Sequence, residues 1–218
     1  MTSARAEPPV RRLTARGALT RDRIVRAAAG LMHANGVAGT TMDQVIEASG
    51  TSKSQLYHYF EDKDALVVAV IKMQAARVME RQEPHLEQLS SLQGLRRWRD
   101  AVVRFVEERH GAHGCEIGSL ASELADRSEP ARILLNATFG SWESYLAAGL
   151  RRMQDRGELD VEGDVTELAT GIMAAYQGGY LLSQAGRSAQ PMALALDLAI
   201  RNVEALVPQR ESASGAAS

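Results

Sequence analysis

The chain has 218 residues, 45% of them hydrophobic and 24% charged, with a formal net charge of −2. This is an ordinary globular composition, long enough for one or two domains; it excludes a transmembrane helix, because no run of about eighteen apolar residues occurs, and a secretory signal, because the Arg- and Pro-containing N-terminus has no apolar core. A single cysteine, Cys115, excludes an internal disulfide and leaves the cytoplasm as the expected location.

Residues 1–19 combine Ala, Arg, Pro and Ser with little periodicity and are expected to be a disordered basic tail. Arg5, Arg11, Arg12 and Arg16 make it either a phosphate-seeking arm or a solvated segment. Periodicity is helical from there to the end, with no alternation over a strand's length. A first helix is expected from a Thr20 cap to Asn35-Gly36, with Ile24, Ala27, Ala28 and Leu31 on one face. Thr41-Met42-Asp43-Gln44 has the form of a capping box opening a short second helix. Gly50 marks a turn, Ser52 can cap a third short helix to about Tyr59, and Asp62 a longer fourth helix ending near Pro84.

The second half reads as longer helices. Leu92, Leu95, Trp98, Val102, Phe105 and Val106 form one face of a helix ending at Gly111. A short helix over 117–125 follows, then a long one with Pro130 in its first turn and Gly157 past its end. Asp164-Val165-Thr166-Glu167 has the form of a second capping box, starting a helix to about Gln184. The last helix is expected from Pro191 to Val207, and residues 208–218 as a second disordered tail. The fold class is therefore all-α, about nine helices in all.

Charge divides along the chain. Residues 1–72 carry ten Lys and Arg against seven Asp and Glu, and the remainder fifteen against twenty. A basic head on an acidic body fits a nucleic-acid-binding unit joined to a larger partner-binding one. Residues 41–59 have the helix-turn-helix pattern, and in the second of its helices Leu56 and Phe60, four apart, can anchor the element while the remaining side chains offer donors and acceptors. A helix entering the major groove needs that arrangement.

The stretch 20–71 strongly resembles the DNA-binding domain of TetR-family transcriptional regulators. The resemblance is carried by Gly36, Thr40-Thr41, Ser52, Lys53, Leu56, Tyr57, Phe60, Lys63 and Leu66; Ser54 stands where that family often has Gly, and Tyr59 where it often has His. It implies DNA contacts from Thr40, Thr41, Ser52, Lys53, Ser54, Gln55, Tyr57, His58 and Lys63, with Gln55 and His58 helping to set operator sequence. Tyr57 is expected at the DNA surface; Tyr59 fits surface or core equally.

In the body, Gly171, Gly178 and Gly179 lie within one helix, where glycine costs about 1 kcal/mol unless another helix approaches closely. In the last helix Asp197, Arg201 and Glu204 form a single charged stripe with an i,i+4 ion pair, and almost everything else is apolar. Two faces then need burial: one by the chain's own core and one by a second subunit in a four-helix bundle, with Gly178, Leu182, Leu194 and Leu198 at the interface, or both inside a monomer as a fully internal helix pair. The stretch from Gly114 through Leu124 is similar to the ligand-binding domain of the LmrA- and YxaF-like branch, with Glu116 where Pro is usual. The resemblance implies a cavity for a small hydrophobic effector, for which Trp98, Phe105, Trp142, Tyr145, Met173, Tyr176 and Gln177 are the candidates, each of them also readable as plain core.

His110, His113 and Cys115 lack a standard zinc spacing and a fourth ligand, so no metal or other cofactor is expected. No catalytic motif occurs. Domains are expected at 20–66 and 67–207. The reading that follows is a homodimeric DNA-binding repressor, released from a palindromic operator when an effector displaces the fourth helix. The alternative is a helical ligand-binding protein or enzyme that keeps the head as a relic.

Overall fold

The computed structural model describes residues 13–208. Among these, nine helices and no strand occur: α1 (Ala15–Asn35), α2 (Met42–Ser49), α3 (Lys53–Tyr59), α4 (Lys63–Leu86), α5 (Leu92–Glu108), α6 (Glu116–Leu124), α7 (Glu129–Asp155), α8 (Thr166–Gly186) and α9 (Gln190–Glu204). The chain divides into two compact units, the first ending at Val70 and the second beginning at Ile71, four residues beyond the expected boundary. Helix α4 runs from one into the other.

Local chemistry sets most helix starts. Thr14, Thr41, Ser52, Ser91, Cys115 and Ser128 each accept a backbone N–H of the first turn, and Asp62 does so for α4 through Ala65 N at 2.8 Å. Helix α1 thus begins earlier than expected, at Thr14. Thr20 lies inside it, its hydroxyl donating to Arg16 O at 3.0 Å, and residues 15–19 and Arg16 belong to the helix rather than to a tail. Arg5, Arg11, Arg12 and residues 209–218 lie outside the described residues. Helix α4 ends at Leu86, two residues past Pro84 and near the expected stop, since proline disrupts only bonds to the preceding turn. The box expected at Asp164 does not form: Asp164 accepts from Thr166 N at 3.0 Å and Thr166 Oγ1 at 2.7 Å, and the capping position falls on Val165. The final helix stops at Glu204, short of Val207.

The first unit packs Ile24, Val25, Ala28 and Met32 of α1 against Val45, Leu56, Phe60 and Leu66. Burying each large apolar side chain contributes about 1.5–3 kcal/mol. The second unit is centred on Trp98, Trp142, Leu146, Tyr176 and Leu196. The turn between α5 and α6 approaches α8 so closely that Gly111, at φ 68°, has no room for a β-carbon: it would lie 2.5 Å from Ser183 O.

Helix α9 clasps α5 through charge. Arg99 holds Asp197 in a two-pronged contact, 2.8 Å at each prong, and Arg96 donates to Glu204 at 2.7 Å. The charged stripe on α9 therefore pairs across to α5, not with Arg201 along its own helix as expected. The glycines of α8 divide into two roles. A β-carbon on Gly179 would meet Met192 Sδ at 2.8 Å, which is the close approach of α9; Gly171 and Gly178 have nothing within 4 Å.

Candidate nucleic-acid interface

Two short helices, of eight and seven residues, form the reading element. Helices this short are marginal alone, so local closure matters. Both carry complete capping boxes. Thr41 Oγ1 accepts from Gln44 N at 3.2 Å while Gln44 Oε1 accepts from Thr41 N at 2.8 Å; Ser52 Oγ accepts from Gln55 N at 3.2 Å while Gln55 Oε1 accepts from Ser52 N at 2.9 Å. Between them Gly50 takes the left-handed conformation at φ 60°, and the hydroxyls of Ser49 and Thr51, 2.8 Å apart, satisfy each other inside the turn.

Burial separates the two faces of α3. Leu56 and Phe60 are buried, whereas Ser52, Lys53, Ser54, Gln55 and His58 are exposed and Tyr57 is 44% exposed. Lys53 Nζ lies 6.0 Å from the centre of the Tyr57 ring, so a cation and a phenol share one surface. Tyr59, readable either way in the sequence, is half-buried. Its hydroxyl lies 3.3 Å from the position a β-carbon on Gly17 of α1 would take, and its ring meets His58 edge-on at 5.0 Å. Thr41 is exposed and Lys63, at the start of α4, is half-buried.

Thr40, expected at the DNA, is only 1% exposed and donates its hydroxyl to Gly36 O at 2.8 Å, which ties the end of α1 to the start of α2. Thr40→Val, which keeps the shape, should lower stability by about 1 kcal/mol and leave operator affinity unchanged in a titration of folded protein.

In the second unit the expected pocket residues are largely core. Trp98 stacks on Tyr176 at 5.8 Å, and Trp142 and Tyr180 meet Tyr176 edge-on at 4.9 Å each. Gln82 of α4 accepts from Trp98 Nε1 at 2.7 Å and donates to Tyr176 Oη at 3.3 Å. Trp142 Nε1 is buried without a hydrogen-bond partner. Met173 is buried, Tyr145 half-buried, and Phe105 lies beneath the guanidinium groups of Arg81 and Arg109 at 5.1 and 4.0 Å. Of the seven, Gln177 alone lines an open cleft of about 340 Å³ between α6, α7 and α8, with Cys115, Ser122, Phe139, Tyr180 and Leu181 among its other walls. A larger groove, about 770 Å³, runs along α8 and α9 past Gly171 and Leu198. Leu198, which lines it, is 61% exposed, and Leu181, Leu182 and Leu194 of the same two helices are 53–67% exposed. Among the described residues no group of three or more His, Cys, Asp or Glu side chains could hold a metal ion, and no helix is long and apolar enough to cross a membrane.

Residues 24–70 match the family model described as bacterial regulatory proteins, tetR family, and residues 91–199 match the one described as tetracyclin repressor-like, C-terminal domain. The chain belongs to the TetR family. It is a DNA-binding transcriptional regulator of helix-turn-helix type. It is 27% identical over 185 residues to the uncharacterized HTH-type transcriptional regulator YxaF of Bacillus subtilis, covering 84% of this chain and 93% of that one. It is 25% identical over 175 residues to the regulator LmrA of the same organism, covering 79% and 90%, and 24% identical over 184 residues to the transcriptional repressor NemR of Escherichia coli, covering 81% and 90%. The crystal structure of a TetR transcriptional regulator from Chloroflexus aurantiacus superposes with a TM-score of 0.76 at 25% identity, over 89% of this chain and 98% of that one. The sequence carries local signals for the TetR-type head; of the expected pocket residues only Gln177 lies at the cleft between α6, α7 and α8, whose other walls include small residues that carry no motif.

Proposed function

We propose that this TetR-family regulator acts as a homodimeric repressor in the cytoplasm, without catalytic activity, and leaves its operator when a small molecule occupies the second unit. The observation that carries the reading is the division of α3: Leu56 and Phe60 anchor it from beneath, and Lys53, Ser54, Gln55, Tyr57 and His58 are left on the outside. On this reading α3 enters the major groove, with Gln55 and His58 at base edges and Thr41, Ser52, Lys53, Tyr57 and Lys63 on the phosphate backbone. Two copies join through Gly178, Leu182, Leu194 and Leu198. A helix-turn-helix dimer reads half-sites about 34–36 Å apart, which makes the operator a near-palindrome. Helix α4 is the element that connects occupancy to reading, since it starts at Lys63 and ends at Leu86. A coupling of about 1–3 kcal/mol, roughly 5- to 150-fold in affinity, is the usual scale.

The test is binding to duplexes taken from DNA flanking the protein's own gene, across a salt series. A specific fragment should be bound tightly, with affinity falling about 10³- to 10⁵-fold between 50 and 200 mM salt if six to ten phosphates are neutralised. Equal affinity for every duplex, or none for any, rejects the reading.

A further inference from the structure

The cleft between α6, α7 and α8 has a chemical character of its own. No residue lining it is acidic or basic. Glu116, next in sequence to its Cys115 wall, is turned away into an ion pair with Arg81 at 3.3 Å. Its two ionisable wall groups are neutral at physiological pH: burial pushes the Cys115 thiol up, and burial pushes the Tyr180 phenol up to about 12. Phe139, Ala121 and Leu181 give it apolar sides. A charged group entering this space would give up part of its water and meet no counter-ion, which is unfavourable.

Of the two glutamines in the wall, Gln184 is exposed to water, whereas Gln177 is half-buried and poorly used. The Gln177 amide nitrogen donates only to sulfur, to Cys115 Sγ at 3.7 Å and to Met173 Sδ at 3.9 Å. Thiol and thioether sulfur are weak acceptors. Gln177 thus carries a donor that gains from any oxygen brought to it, and its place in the wall lets a ligand bring one. We propose that the cleft takes an uncharged ligand, about the size of two fused aromatic rings, whose hydrogen-bond-accepting oxygen is received by Gln177 Nε2. The volume of about 340 Å³ suits such a body. This rests on the effector reading above and adds to it the charge state and the anchoring group of the ligand.

Three matched probes test it by calorimetry on the full chain in the absence of DNA: 2-acetylnaphthalene, 2-naphthoate and 2-isopropenylnaphthalene. They share shape and differ in whether the side group is a neutral acceptor, an anion or a hydrocarbon. The ketone should bind saturably, one per chain, and at least about tenfold tighter than the carboxylate. It should also exceed the hydrocarbon by about three- to tenfold, and Gln177→Leu should remove that advantage while leaving hydrocarbon affinity in place. Ser122→Trp, on an exposed edge of the cleft, should abolish binding of the ketone in a protein with an unchanged melting transition. Naphthoate binding as tightly as the ketone overturns the neutrality. A ketone advantage that survives Gln177→Leu overturns the anchor, and absence of saturable ketone binding, or its survival in Ser122→Trp, overturns the cleft. Because DNA is absent from these titrations, a failure here leaves operator binding standing, and a failure to bind operator leaves these results standing.

Discussion

Replacing Tyr57 and Lys63 together with alanine should weaken operator binding by roughly 30- to 25,000-fold, at about 1–3 kcal/mol for each lost contact. The effect should fall on DNA and not on folding. Tyr57 stands on the outer side of α3, where its ring contacts Lys53 Nζ rather than the core beneath Leu56. Lys63 begins α4, but the cap of that helix is Asp62, so its first turn survives the loss of the lysine. The two changes should also separate in kind. Removing Lys63 should reduce the salt slope of binding by about one and act alike on all duplexes, as a phosphate contact does. An operator shift of wild-type strength from the double variant, with an unchanged melting transition, would sink the assignment of α3 and the start of α4 to the DNA.

Charging the exposed leucines should split the dimer. In Leu182→Glu with Leu198→Glu, association of the two copies should weaken roughly 1,000-fold or more, because an unpaired carboxylate buried at an interface costs about 2–5 kcal/mol. Sedimentation velocity should then report a monomer at concentrations where the parent is a dimer. The chain itself should fold as before: both leucines are more than half exposed, and the packing of α8 on α9 runs through Gly179, Met192 and Leu196 instead. Operator affinity should drop with the dimer, since each half-site must then be held alone. A dimer that survives both substitutions would place the interface elsewhere.

The reading element was legible because its signals are local. Capping at Thr41 and Ser52 and the turn at Gly50 lie within twenty residues, and each follows from short-range hydrogen bonding. Adjacent threonines show where that reach ends. Thr40 and Thr41 are alike in the sequence, and only the fold turns one inward to Gly36. The stripe on α9 failed for the same reason at longer range, since Arg96 and Arg99, about a hundred residues upstream, take the acids that a local rule assigns to Arg201. Thr20 looked like a cap because its residue type suits one, but Thr14 stands one turn and a half earlier and starts the helix first. Aromatic type pointed to Trp98, Trp142 and Tyr176 as pocket walls, whereas large rings in a core fill space. Openings are left where residues are small, and Gly118, Ser119 and Ala121 announce nothing by themselves.

The second capping box has a consequence for base choice. Gln55 turns its side-chain carbonyl back to Ser52 N, so only the NH₂ end remains to face a base. A glutamine that keeps both ends clasps adenine through N6 and N7 together; with one end engaged it is reduced to a lone donor. On the docking proposed above, the opposing position in each half-site should tolerate any base that presents an acceptor, guanine and thymine as readily as adenine, and discriminate chiefly against the amino edge of cytosine.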